Sequence, residues 1–458
     1  MNKAWVFLYL LAATVAWSQP KKTAPSGAAS SDASKICSDP YQVREPAEGW
    51  PEAPVLILFH REKSKAPWAT NPAIRVAGLE ARTPASARTL VCVEESKLEM
   101  GHYDSGEPGY APAWEIIVIR LADRKVYFLR TGMYGEMPPE VKWKHGAGVG
   151  KPPSETFVKW MRLLVGQDVA RLKMRLKSRE YHDASALAFS VDGSKLVLAQ
   201  EPRSSGSGTP PSPITVFDLT NGQTVATMHA SYSTRAVAIS RSGSMVATER
   251  YGHVELWDVA SGLMTRKLET SGVKSLRFGP DDTLGVAGNG KSAVWDIAGN
   301  RVLHSGTGSQ VQLSPEGAWL VADNGPRGVN LQALESGREL AKFPRVGDTD
   351  QYEVSGDGKL MVRASVLGGT TYASGNPQGA VLDLPHFDVN SITAVASTRD
   401  GFVAANGDGI AGIVSSTAPA VRAFATDLTA IRAIAVSSDG KLIALGDSSG
   451  SVQVWELK

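Results

Sequence analysis

Seven two-residue turns recur through the C-terminal part of the chain: Asp192-Gly193, Ser242-Gly243, Asp281-Asp282, Glu316-Gly317, Asp357-Gly358, Asp400-Gly401 and Asp439-Gly440. Their second positions lie 50, 39, 35, 41, 43 and 39 residues apart, by subtraction of those numbers. An apolar run precedes each turn: Leu187–Ser190, Val237–Ser240, Leu276–Phe278, Val311–Ser314, Tyr352–Ser355, Thr393–Ser397 and Ile434–Ser437. Val, Ile, Thr and aromatic residues at period two between Gly-containing breaks specify strands rather than helix. The stretch 234–268 shows a whole unit, with runs at Ala236–Ser240, Met245–Thr248, Val254–Val259 and Leu263–Leu268. Four antiparallel strands in about 40 residues cannot bury both faces alone, so copies at this period must stack on one another.

The third run of several units ends in an aromatic or apolar residue and an acid: Phe217-Asp218, Trp257-Asp258, Trp295-Asp296, Leu382-Asp383 or Trp455-Glu456. With the repeat period, these pairs resemble the WD-repeat family over roughly residues 170–458, and exported bacterial WD-repeat proteins in particular. The resemblance implies an all-β, seven-bladed β-propeller closed by a terminal strand. The last unit ends at its third strand, and Leu172–Lys177 stands where a strand could complete it and remove two open sheet edges. The repeats also depart from the family pattern. No Gly-His precedes a first strand, and Tyr251, Asn289 or Ser449 stands where the family often has Asp. The resemblance therefore assigns Trp257, Trp295 and Trp455, with Asp258 and Asp296, a structural role within and between blades.

Upstream of the repeats the chain changes character. Met1–Ser18 reads as a secretory signal peptide, with Lys3, an apolar stretch Ala4–Ala16 and a small-x-small site at Ala16-Trp17-Ser18. An uncleaved N-terminal anchor is the alternative. No other segment is apolar enough to cross a membrane, so the mature chain is expected to be periplasmic or secreted, with no integral membrane segment. Residues 19–35 read as a flexible linker rich in Pro, Ala, Ser and Gly. Residues 36–166 read as a small, separate α+β domain. Its strands are expected at Pro54–Phe59, Ile74–Ala81, Thr89–Glu94, Glu115–Leu121 and Lys125–Arg130, before a helix from Ser154 to about Val165. Phe157, Trp160, Met161 and Leu164 share one face of that helix. Cys37 and Cys92 are the only two cysteines. In an exported chain such a pair favours a disulfide over two buried thiols.

Several function classes lose support from the residues. The chain carries 48 basic and 46 acidic residues, a net charge of +2, and shows no basic stripe, which disfavours nucleic acid. Gly146–Lys151 lacks the spacing of a phosphate loop and reads as a flexible loop, Lys151 being followed by Pro152. Gly446–Gly450 has G-x-S-x-G spacing but sits between two strands, so it reads as a hairpin turn. The eight histidines show no metal-ligand spacing, and no cofactor or catalytic set is expected.

These readings point to a non-enzymatic scaffold of the bacterial envelope that binds a protein partner through the propeller face. The long segments Gln200–Pro213 and Val366–Gln378 read as exposed loops on that face. Tyr232, Arg250, Tyr251, Arg203 and Tyr372 are candidate anchors, being residue types that dominate interfaces. Two alternatives stay open: a hydrolase- or lactonase-like propeller enzyme with a metal in the central channel, and a small-molecule or glycan sensor.

Overall fold

The computed structural model describes residues 31–38, 51–102, 108–135, 148–165, 169–178, 183–201, 212–230, 234–250, 253–270, 272–288, 291–307, 313, 319–323, 329–333, 336–343, 351–356, 360–365, 368–373, 376–381, 392–415, 422–428 and 430–458. Met1–Ser18, expected as a signal peptide, most of the expected linker, and Tyr232, Tyr251 and Arg203 lie outside them.

The N-terminal part is one sheet between two helices. Its strands are β1 (Val55–Arg61), β2 (Thr89–His102), β3 (Pro108–Arg120), β4 (Lys125–Tyr134) and β5 (Gly148–Val149). They pair in the order β1-β2-β3-β4, with β5 beside the start of β3. Alternation of side chains sends Val55, Ile57, Phe59, Val91 and Val93 to one face and Leu56, Leu58, Leu90 and Cys92 to the other. Helix α2 (Ser154–Val165) covers the first face with buried Phe157, Trp160, Met161 and Leu164. Helix α1 (Ser31–Ser38) packs Ala33 and Cys37 on the second. A disulfide joins Cys37 to Cys92 and so ties α1 to the sheet.

Four expectations for the N-terminal half need correction. Residues 31–35 of the expected linker belong to α1. The run 74–81 is not a strand: Asn71-Pro72 and Gly78 (φ 83°) turn it, and only Glu80 bridges to Val55. Ile74 and Val76 are nonetheless buried, which is why the run is apolar. Gly148 and Val149 of the expected flexible loop pair in parallel with Gly109 and Tyr110. Nor is the core self-contained, because Ala404, Ile410 and Ala425 from the repeats join the α2 cluster.

The repeats fold as seven further sheets among the described residues, six of four strands and one of three. Sheet 1 covers 183–230, sheet 2 covers 237–269, sheet 3 covers 273–307 and sheet 4, with three described strands, covers 319–343. Sheet 5 covers 351–381 and sheet 6 covers 392–425. Sheet 7 takes three strands from 431–457 and its fourth from β6 (Ala170–Lys177). Strand β6 runs antiparallel to Ser451–Leu457, with Leu176 opposite Val452 and Leu172 opposite Trp455. Within the other four-stranded sheets the strands follow chain order, and all pairs are antiparallel. Each of the larger repeat cores draws on neighbouring sheets, as where Ala236 and Leu256 of sheet 2 meet Leu276 and Val286 of sheet 3. Such sharing is how a half-buried sheet covers its second face.

Sheet 5 departs from the sequence reading. Residues 366–378 are not a long loop: Gly368–Ala373 is the third strand and Asn376–Val381 the fourth. Thr370, Thr371 and Tyr372 suit a pleated surface, and this overrides the Gly-rich composition that reads as a loop. Leu382-Asp383, expected to end the third strand, lies outside the described residues.

Candidate functional site: the central channel and its turns

The turns that set the repeat also set the geometry around the channel. Ser190, at the end of its first strand, donates its amide to the Lys195 carbonyl (3.0 Å) and accepts the Lys195 amide on Oγ (2.9 Å). Its hydroxyl donates to Asp192 Oδ1 (2.5 Å), which also accepts the Ser194 amide (3.0 Å). Ser437 and Asp439 repeat the arrangement in sheet 7 at 2.6 Å. Ser240 does so in sheet 2, with Ser242 in place of the acid. The second turn position is left-handed, at φ 69° for Gly193 and Gly243 and 73° for Gly440. A Cβ is strained there, which explains the recurring Gly; at Asp281-Asp282 two aspartates take φ 58° and 55° instead.

The acid that ends a third strand folds the next turn. Asp258 Oδ1 accepts the hydroxyl (2.6 Å) and amide (2.8 Å) of Ser261, and Asp218 Oδ1 holds Thr220 in the same way. Asp296 Oδ1 accepts the Gly299 amide at 2.8 Å. These hydrogen bonds hold all three carboxyls below the usual aspartate range. Trp455 is fully buried against sheet 6, beside Phe424. Trp257 and Trp295 are only partly buried, each packed against a core shared by two sheets. Trp257 still packs towards sheet 1 and donates Nε1 to Thr248 Oγ1 at 3.0 Å. In sheet 7 the turn acid is Asp447, two residues before Ser449, whose amide it accepts at 2.8 Å. Gly446–Gly450 is thus a hairpin turn in the structure as well.

Of the proposed anchors, Arg250 is engaged inside its own sheet. Its Nη1 donates to Glu255 Oε1 at 2.5 Å, and that carboxylate is only 2% exposed. His253 lies 3.4 Å from the same oxygen. Arg250 therefore neutralises a buried acid rather than standing as an unengaged surface cation. Tyr372 lies on the third strand of sheet 5.

The first strands of six sheets, with Leu313, line a channel of about 340 Å3. Ala188, Ala238, Ala396 and Ala435 keep its wall thin, and Ser185, Ser275 and Thr393 add polar groups. Arg277 Nη2 donates to Glu353 Oε2 at 3.4 Å within it. Burial pushes the Glu353 carboxyl up, against the opposing pull of Arg277 and the Ser397 hydroxyl. Arg235, Lys274, Arg399 and Arg432 complete the charged lining. Sequence reading missed this set, although a signal was present. Arg235, Lys274 and Arg432 each lie five residues before the residue that closes its first-strand turn (240 − 235, 279 − 274, 437 − 432). Among the described residues, no three His, Cys, Asp or Glu side chains gather as a metal-binding group.

Repeated antiparallel four-stranded sheets whose first strands line a common cavity are consistent with a β-propeller. Residues 421–456 match the family model described as WD domain, G-beta repeat. The matched unit is offset from the sheets by one strand. It takes in the outer strand of sheet 6, Arg422–Ala425, and the three strands of sheet 7 up to Trp455-Glu456. No curated protein matches the chain.

Proposed function

We propose that the chain is a non-enzymatic, exported interaction scaffold of the bacterial cell envelope, built as a seven-bladed ring. In this reading the pairing of β6 with Ser451–Leu457 closes the ring. The observation that carries the proposal is a WD repeat embedded in a run of like sheets around one channel. Such sheets hold their connecting turns rigidly at two faces, which suits recognition of a protein partner. Export is supported by the apolar leader Ala4–Ala16 and by the Cys37–Cys92 disulfide. Among the described residues no helix is long and apolar enough to cross a membrane. The expected loop Gln200–Pro213 is assigned to the partner-binding face; its ends Gln200–Glu201 and Ser212–Pro213 belong to strands, and residues 202–211, with Arg203, lie outside the described residues.

The test is cross-linking capture from the native envelope fraction with the tagged chain, repeated with residues 202–211 replaced by a two-residue turn. A partner held by the full chain and lost by the shortened one supports the scaffold and its face. A folded bait that captures nothing from that fraction refutes it.

A further inference from the structure

The channel wall is unequal in charge. Among the described residues it presents five cations, Arg235, Lys274, Arg277, Arg399 and Arg432, against one carboxylate, Glu353. Three of the cations occupy equivalent places. Arg432 of sheet 7, Arg235 of sheet 2 and Lys274 of sheet 3 stand near the start of their first strands, and Ser185 of sheet 1 takes the same place (190 − 185). They make an arc at one mouth, with Arg277 deeper along the same strand as Lys274. Acidic neighbours are present outside the lining. Glu201 lies 3.8 Å from Arg235, and Asp183 lies 3.7 Å from Arg432. Both are ion-pair distances longer than a hydrogen bond, and Arg235 and Arg432 are 80% and 57% exposed. Such pairs are weak in water and give way to a better acceptor.

We propose that this channel binds a small, multiply charged anion of the phosphate or polycarboxylate class, drawn in past Arg235, Lys274 and Arg432 and held by Arg277. The volume of about 340 Å3 falls within the range of small-molecule pockets, roughly 300–1,000 Å3. Alanines at four wall positions leave the room. An oxyanion offers Arg277 a bidentate acceptor in a site partly shielded from water, where charge-assisted hydrogen bonds are strongest. A cationic ligand meets the opposite conditions, because the one carboxylate among the described lining residues is already paired with Arg277. The proposal is independent of the scaffold reading: a chain that captures no protein partner can still bind the anion.

The experiment is isothermal titration of the full mature chain with pyrophosphate and with citrate, using sucrose and spermidine as uncharged and cationic controls. It is repeated with the R235Q/K274Q/R432Q variant, whose three positions are exposed, and with R75Q, an exposed arginine of the N-terminal sheet region. Melting without ligand establishes that each variant is folded. The expected result is saturable binding of at least one anion, weakened tenfold or more in the triple variant and unchanged in R75Q. Pyrophosphate alone or citrate alone then separates the phosphate class from the carboxylate class. No binding of either anion at millimolar concentration overturns the proposal. Binding that survives the triple variant places the anion elsewhere and overturns it as well.

Discussion

Trp160 is where the N-terminal sheet and the repeats become one folded body. Its indole is fully buried, and its Nε1 donates to the carbonyl of Thr426, itself buried, at 2.8 Å. The surrounding cluster holds Trp114, Phe157 and Leu164 from one part and Ala404, Ile410 and Ala425 from the other. Truncating a buried aromatic to alanine costs about 3–5 kcal/mol. Here the substitution also strands a buried carbonyl, so the upper half of that range, about 4–5 kcal/mol, is expected. Trp160→Phe keeps most of the apolar area and loses only the donor, for about 1–2 kcal/mol. Because the loss falls at a junction, its signature is loss of cooperativity as well as a lower melting point. Calorimetry of the native chain should show the two parts unfolding together, and Trp160→Ala should separate them into two transitions. Hydrogen exchange read by mass spectrometry should then show faster exchange in Gly401–Ser415 of sheet 6. A variant that lowers only an N-terminal transition and leaves sheet 6 protection unchanged would refute the shared core.

Three further outcomes are expected. Cys37→Ser/Cys92→Ser frees a closed loop of 55 residues and should lower stability by about 4 kcal/mol, lost largely from α1 and read by urea unfolding with and without reductant. Arg250→Met leaves Glu255 buried without its guanidinium. It should cost about 2–3 kcal/mol, less than the roughly 3–5 kcal/mol of a fully buried pair because Arg250 is a quarter exposed, and Glu255→Gln in that background should recover most of it. Acid should weaken the turns: Asp218, Asp258 and Asp296 have folded pKa values below the ordinary aspartate range, so their contribution is full above that range and fades as pH falls through the lower folded values. Glu353 has the opposite sign, because its raised folded pKa opposes folding at neutral pH and that opposition is relieved on acidification. Melting points from pH 6 to pH 2 should fall less steeply in Asp258→Asn than in the native chain, and equal slopes would contradict this.

Local chemistry made much of this molecule legible in its sequence. The Ser-x-Asp-Gly turns are written in adjacent residues, because a left-handed position selects Gly and a short acid caps the amides that follow. The amphipathic spacing of Phe157, Trp160, Met161 and Leu164 likewise located α2 and its buried face. Period-two runs located the first strands of sheets 1, 2, 3, 5, 6 and 7 to within a few residues. What the tertiary structure decided depends on which surfaces meet. Residues 74–81 are apolar because the fold buries Ile74 and Val76, not because they form a strand. The segment 366–378 looks like a loop until a neighbouring strand supplies its hydrogen bonds. Arg250 reads as an exposed anchor until Glu255 is folded beneath it. The partner of Trp160 lies 266 residues away, and the basic arc of the channel is contributed by separate sheets. Hydrogen-bonded turns are set by residues a few positions apart, which sequence displays directly. Shared cores and channel walls are set by distant residues whose approach is fixed only when the sheets stack, and no local pattern encodes that meeting.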